Sequence, residues 1–598
     1  MRRGRTQAIY RYLPGSVVDY SDTHTIARVS GWNSREVVGI NKERLVDEVM
    51  RRAAHFKVAT GRNVLFKPEG IAVLEPISIE VELFPLTFIC SNCGKAYYFR
   101  TIKEFNSAMR KSDYKCLSCR SVLNQMDIVH YHKCGGLEGP RPEACRTHKY
   151  DDIVLDKKGS SSIYKWKWVC RVCGKETGNV SFMCHDCRTP MDSSPFRKGA
   201  VFQPQSISLI NVPKKRTGLR EKKLLVASYL GLAEYSDIER LNSQADAADH
   251  DRKMNEMIEE MRNEGVPEKY IEKMRGKLKA SKAKSQAEVF SELDPLMEGL
   301  QGEALDLAAN CVHDFQETLH LENVRSISDI VNSAVSSDGP TAKIAPLFVE
   351  KMNRIGIANA WIIGDFPMMR STYGYIRGNA EPNDCILKSF PIDKIAPGKI
   401  PIYSVSMETE AILLELDRRM VYEWLVNNKI VKEAIDADDE KQLKSWFFRN
   451  IRMDRIPVFD EIDDQDPLIK AVYSLTHTLS HALLRHAAGL IGIDEGSVGE
   501  IILPNIPAII LYSNQTADFQ LGGMFTLMET SVIPWLDSSV FDMETCLYDP
   551  LCMETGAACH ACLHISETAC THFNRNLGRN LLIGGNNWIG FWSHLYEG

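Results

Sequence analysis

The alternation of apolar and polar positions changes character along this chain. From about residue 215 to 335 the sequence is rich in Lys, Glu, Met, Leu and Ala, and Met254, Met257, Ile258 and Met261 recur at the i, i+3, i+4, i+7 spacing of one helix face. Gly265-Val266-Pro267-Glu268 breaks that pattern and restarts it, as when one helix ends at Gly and the next carries Pro in its first turn. The Met stripe reads as the core face of a helix, with a partner-binding groove as the second reading. From about 340 to 535, short apolar runs such as Ala360-Trp361-Ile362-Ile363 and Ala508-Ile509-Ile510-Leu511-Tyr512 alternate with segments of helical period. Runs of that length suit buried strands, so the pattern predicts a mixed α/β, multidomain protein. No apolar run approaches the roughly 18 residues that span a bilayer, and Met1 opens a basic, polar segment with no apolar stretch of a secretion signal. A cytoplasmic protein without membrane contact is expected.

Composition narrows this picture. With 598 residues, 44% hydrophobic and 25% charged, the chain can bury a large core, which excludes a disordered or fibrous protein. The expected division is an N-terminal region (1–88), a tandem zinc-ribbon region (89–204), a helical domain (205–340), an α/β domain (341–540) and a C-terminal four-cysteine zinc module (541–598). The net charge is only −6, yet residues 90–200 hold 20 Lys and Arg against 11 Asp and Glu, a surplus of nine, leaving −15 on the remainder. Tyr97, Tyr98, Phe99, Trp166 and Trp168 lie in this basic stretch. Such a mixture serves either to stack bases beside neutralised phosphates or to pack under small metal folds. On the first reading Lys165, Lys167 and Arg171 are phosphate contacts.

The cysteines carry the sharpest chemistry. Cys90, Cys93, Cys116 and Cys119 form two CxxC pairs separated by 22 residues, and Cys170, Cys173, Cys184 and Cys187 form two more separated by 10. Paired thiolates at this spacing close tetrahedral zinc sites, and four protein ligands leave no open position, so the expected role is structural. In a reducing compartment CxxC pairs hold metal more often than they form disulfides. Between the ribbons stand His132, Cys134, Cys145 and His148, two thiols and two imidazoles that can make a third site. Near the C-terminus Cys552, Cys559, Cys562 and Cys570, separated by 6, 2 and 7 residues, can close another, with Cys546 as a spare thiol able to replace Cys552. Cys311 and Cys385 stand alone and read as small buried residues.

Two patterns invite an enzymatic reading. His477 and His481 are one helical turn apart, a metal-binding spacing, but no Glu follows the first His as a metalloprotease requires, and a structural helix is favoured. Asp494-Glu495-Gly496-Ser497 has the look of an acidic ATPase motif, but the sequence contains no GxxxxGK[ST] phosphate loop for it to serve. An enzyme acting on nucleic acid through His477, His481 and Asp494 stands as the alternative to a binding subunit.

Several landmarks together resemble the DrmB component of DISARM phage-defence systems. They are Arg5-Thr6-Gln7-Ala8-Ile9, Pro14-Gly15-Ser16-Val17-Val18-Asp19, the ribbons, Val201-Phe202-Gln203-Pro204, His477-Thr478-Leu479-Ser480-His481, Leu521-Gly522-Gly523, Cys559-His560-Ala561-Cys562 to Cys570, and Phe573-Asn574-Arg575-Asn576-Leu577. The C-terminal cysteine module is similar to one found in several DNA-repair and defence helicases. The resemblance implies a non-helicase subunit that pairs with a DrmA-like helicase, engages DNA with it, and leaves ATP hydrolysis to that partner. It carries over Cys552, Cys559, Cys562 and Cys570 as metal ligands, and no catalytic residue.

Overall fold

The computed structural model describes the chain apart from residues 1–8, 10, 21–24, 58–66, 111–112, 151, 181–182, 213–217, 244–283, 285, 338–340, 379–380, 434, 515–521, 567–568 and 597–598. The Met254, Met257, Ile258, Met261 stripe and the Gly265-to-Glu268 restart lie outside the described residues. The fold is mixed α/β, built as two compact units: residues 1–211 with 368–407, and residues 212–367 with 408–598. None of the described helices is long and apolar enough to cross a membrane.

In the first unit, β1 (Val17–Tyr20), β2 (Thr25–Glu36) and β3 (Ile71–Leu83) pair antiparallel, with bulges in β2 at Val29/Gly31 and Asn33/Ser34. The β2–β3 connection holds α1 (Lys42–Ala53), whose first turn is capped by the Asn41 side chain accepting from the Arg44 N–H. Leu45, Val46 and Val49 form its buried face.

Three small antiparallel sheets follow. The first joins β4 (Thr87–Cys90), β5 (Ala96–Tyr98) and β6 (Leu123–Gln125), with α2 (Ile102–Met109) between the last two. The other sheets interleave along the chain. One joins β7 (Ile128–Tyr131) and β8 (Leu137–Glu138) to β12 (Asp192–Pro195), and the other joins β9 (Ile153–Asp156), β10 (Lys167–Cys170) and β11 (Glu176–Asn179). Strands of two to four residues bury too little to hold themselves together. Aromatic clusters and knuckles able to hold a metal ion supply what they lack, as described below.

β13 (Gln203–Ile210) then runs antiparallel to the latter part of β14 (Ile357–Ile376), with Ile210 opposite Met368. The start of β15 (Ile400–Leu416) runs parallel to β3, with Ile400 opposite Ile71. Leu13, Val29, Trp32, Leu74, Phe390 and Tyr403 are among the residues that fill the core of this sheet.

The second unit contains α3 (Leu219–Tyr229), α4 (Glu303–Leu319), α5 (Arg418–Asn427), α6 (Glu440–Asn450), α7 (Pro467–Ile491) and α8 (Val532–Glu544). Its hairpin β16 (Val498–Leu503) and β17 (Ala508–Ser513) pairs through β17 with the end of β15, Ile412 opposite Leu511. Both apolar runs read from the sequence lie in strands, 360–363 within β14 and 508–512 within β17. The helix α7 organises the unit. Pro467 opens it, Gly492 in the left-handed region (φ 78°) ends it, and Leu475, Leu479 and Leu483 join Leu511, Trp535 and Trp592 in one large core. Asp494 is a cap in a tight turn, accepting from the Gly496 N–H at 3.0 Å. Cys311 and Cys385 are buried, as expected of lone thiols.

Candidate metal centres

Among the described residues, five groups of Cys, His or Glu side chains each bring four potential ligand atoms within 4.8 Å of one another. Three belong to the first unit. Cys90, Cys93, Cys116 and Cys119 assemble as their spacing predicts, with Cys90–Cys119 and Cys93–Cys116 sulfur separations of 3.3 and 3.6 Å. The expected second ribbon is divided. Cys170 and Cys173 join Cys145 and His148, whereas Cys184 and Cys187 join His132 and Cys134. His132, Cys134, Cys145 and His148 therefore do not form a site of their own; each half completes a different one.

Strand pairing explains the division. Antiparallel β9 and β10 set the loop that precedes β9, with Cys145 and His148, beside the turn that follows β10, with Cys170 and Cys173. Antiparallel β7 and β12 likewise set His132 and Cys134, just after β7, beside Cys184 and Cys187, just before β12. The first group obeys the same rule through β4 and β6. The 10 residues between Cys173 and Cys184 lead from one sheet to the other, so nearness in sequence does not become nearness in space. The second and third groups are nested along the chain.

The six knuckles share one backbone design. Each has a left-handed residue just after its second ligand: Gly94, Arg120, Gly135, Lys149, Gly174 and Arg188, at φ of 70, 59, 91, 52, 69 and 59°. The N–H of that residue donates back to the carbonyl of the first ligand, as Gly94 does to Cys90 (3.1 Å) and Lys149 to Cys145 (2.8 Å). This curls the chain around a point where two donor atoms converge. The thiols also accept hydrogen bonds, from the Cys93 N–H to Cys90 Sγ at 3.4 Å and from the Tyr97 hydroxyl to Cys116 Sγ at 3.2 Å. A zinc tetrahedron with bonds of about 2.3 Å has edges of about 3.8 Å. The measured donor separations of 3.3–3.8 Å fit such an ion and are far longer than a disulfide.

Four thiols so close cannot all ionise unaided. Burial pushes Cys93 up to about 12, whereas hydrogen bonds from Ser121 draw Cys119 down to about 6. A dication resolves this competition by favouring the thiolate form of every ligand.

The aromatic residues of this region pack beneath the knuckles. Tyr97 and Phe99 join Phe88, Phe105, Cys90 and Cys116 in one cluster; Trp166 and Trp168 join Cys145 and Cys170 in another, with Trp168 wholly buried. Tyr98 is half-buried. Of the two readings open to these residues, the burial of Tyr97, Phe99, Trp166 and Trp168 favours packing under the knuckles. Arg171 is likewise committed: it grips Asp152 with two hydrogen bonds of 2.9 and 3.0 Å and donates to the Cys93 carbonyl at 2.6 Å, tying one knuckle to another. Lys167 donates to Asn179, and Lys165 is exposed on a short turn.

In the second unit the sulfur atoms of Cys546, Cys552, Cys559 and Cys562 converge, with Cys546–Cys559 and Cys552–Cys562 at 3.5 and 3.7 Å. Cys570, expected to complete this group, does not belong to it; it lies with His477, His481 and Glu500, and Cys546 takes its place. The buried Arg579 supports the loop by holding Asp549 through two 2.7 Å bonds, while Asp549 accepts from the Cys546 N–H at 2.8 Å. Arg485, on the same face of α7 as His477 and His481, donates to the His564 carbonyl at 3.1 Å and to that of Ala561 at 3.4 Å, bracing the CxxC turn. Cys546→Ser is expected to cost the full chain one bound metal ion, read by inductively coupled plasma mass spectrometry. Unchanged metal content would put Cys546 outside the site.

Residues 4–200 match the model of a family described as a domain of unknown function (DUF8724). All three groups of the first unit fall inside that match. Over 197 residues the chain is 24% identical to the DISARM protein DrmB of Bacillus paralicheniformis (strain ATCC 9945a / NCIMB 11709 / CD-2), covering 30% of this chain and 32% of that protein. The match thus spans about a third of the length of either protein.

Proposed function

We propose that this chain is a zinc-binding, non-helicase subunit of a DISARM-type anti-phage complex, that it pairs with a DrmA-like helicase, and that it helps to engage DNA in the cytoplasm. The observation that carries the reading is the likeness to DrmB, joined by sequence landmarks at both ends of the chain. The metal groups support it: sets of four protein donors, dominated by thiolate with some imidazole, suit structural zinc and leave no open position for catalysis at the knuckles. ATP hydrolysis belongs to the partner on this reading.

The knuckles themselves are the proposed contact points for phosphate. Exposed basic residues recur on or beside them: Arg120, Lys133, Arg146, Lys149, Lys175 and Arg188. A rigid metal-held turn presents such a charge at little conformational cost, and each phosphate neutralised on duplex DNA contributes about 0.9 to the log–log salt slope. Anisotropy titration of duplex DNA with the zinc-replete chain across a salt series is expected to show salt-steep binding. Charge reversal at Arg146, Lys149 and Lys175 is expected to weaken it and to flatten the slope by up to about 0.9 per lost contact. Affinity and slope unchanged in that variant would overturn the placement, and no binding by the chain alone would move DNA contact to the helicase. Co-purification with a DrmA-like helicase expressed beside it tests the partner.

A further inference from the structure

We infer that His477, His481, Glu500 and Cys570 form a fifth metal site, buried in the second unit and separate from the four-cysteine group nearby, which holds a divalent ion of the zinc class. His477 and His481 occupy successive turns of α7 and point the same way, and Glu500 on β16 meets them. Both imidazole Nε2 atoms lie against a single carboxylate oxygen, Glu500 Oε1, at 3.0 and 3.1 Å, and His477 Nε2 is 3.3 Å from Cys570 Sγ. Neither histidine nor the glutamate exposes any surface, and Cys570 is 4% exposed.

Three features of this cluster ask for a cation. The first is the tautomer of His481. Its Nδ1 lies 2.8 Å from the Leu563 carbonyl, which only accepts, so Nδ1 donates, and in the neutral form of the ring the lone pair of Nε2 is turned toward the carboxylate. Two acceptors then face each other at 3.1 Å, an arrangement that a shared metal ion satisfies. A ring nitrogen tied to a carbonyl while the other points at the ion is the common support of a metal-bound histidine. The second is charge: as ligands the buried Glu500 carboxylate and an ionised Cys570 would together carry two negative charges, which one dication balances.

The third is the setting of Cys570. Its sulfur accepts N–H bonds from His572 and Asn574, both at 3.3 Å, as Cys90 and Cys562 accept from Cys93 and Cys559 at 3.4 and 3.3 Å. Phe573, Asn574 and Asn576 then wind through the left-handed region (φ 54, 56 and 53°), the conformation that follows the ligands of the zinc knuckles. Two imidazoles, one carboxylate and one thiolate form a mixed donor set suited to zinc or a neighbouring divalent transition metal. With four protein ligands the site is closed, so it acts as a clamp joining α7, β16 and the segment around Cys570.

The test is the metal content of the full chain. Glu500→Gln, which keeps the side chain's shape, and Cys570→Ser are each expected to remove one ion per chain, and Cys546→Ser with Cys570→Ser is expected to remove two. Folded variants with undiminished metal content would overturn the site and leave the cluster a hydrogen-bonded ion pair. Should the substitutions prevent folding, the unaltered chain decides: five ions per chain after purification in zinc support the inference, and four overturn it.

Discussion

His148→Ala is expected to release one zinc ion per chain and to loosen β9 and β10, while β7 and β12 remain as they are. His148 Nδ1 lies 3.6 Å from Cys170 Sγ and 3.8 Å from Cys145 Sγ, so its removal opens the group that those cysteines share with Cys173. The strands concerned are four residues each, packed on Trp166 and Trp168, and on the proposed reading the metal at this group adds to their order. Structural zinc in small modules supplies about 10–16 kcal/mol of apparent binding free energy, of which losing one ligand forfeits a large part. Amide hydrogen exchange should therefore rise strongly over Ile153–Asp156 and Lys167–Cys170. If Cys170, Cys173, Cys184 and Cys187 instead formed one ribbon, His148→Ala would leave the protection of Lys167–Cys170 intact.

The second large effect is expected from Arg418→Ala, which should destabilise the second unit by about 3–5 kcal/mol, the usual result of removing one partner of a buried ion pair. Arg418, at the start of α5, is buried and donates to Glu415 at 2.5 Å, to Glu440 at 2.7 Å and to the Tyr229 hydroxyl at 3.1 Å. It thereby joins the end of β15 to α3 and α6. Without it the Glu415 carboxylate, itself buried, loses its cation, and Tyr229 keeps a hydroxyl that burial already pushes up to about 12. Urea unfolding followed by tryptophan fluorescence measures the change. A midpoint equal to that of the unaltered chain would show that the unit does not depend on this cluster.

What could be read from the sequence followed the reach of each signal. Each of the four ribbon CxxC pairs brings its two thiols together in the structure, because two thiols at that spacing meet within one turn. Their partnership was not readable, since it is set by which strands pair, and β7 finds β12 across the whole β9–β11 sheet. A usable sign was present: Cys145-Arg146-Thr147-His148 has the two-residue spacing of a CxxC turn with an imidazole in place of the second thiol. The His477 and His481 spacing was visible as helical, but Glu500 lies 19 residues beyond His481 and Cys570 lies 93 beyond His477, and no local pattern joins them. Cys546 reads from the sequence as a spare thiol able to replace Cys552, because the cysteine cadence runs on to Cys570 and gives no hint that this last sulfur faces α7. The aromatic residues among the basic ones suit stacking or packing equally in the sequence for the same reason: composition reports which residues are near in sequence, while their burial under the knuckles is a tertiary fact.

Cadmium-113 NMR of the cadmium-substituted full chain tests the central claim, a set of metal sites whose pairing is nested, most directly, because each filled site gives a resonance whose position follows its number of thiolates. The arrangement described predicts two signals of four-thiolate type, from the Cys90 and Cys546 groups, and two of three-thiolate, one-imidazole type, from the groups of His132 and His148, besides that of the buried His477 cluster. Three four-thiolate signals with one of two-thiolate, two-imidazole type would contradict it and restore a ribbon made of Cys170, Cys173, Cys184 and Cys187.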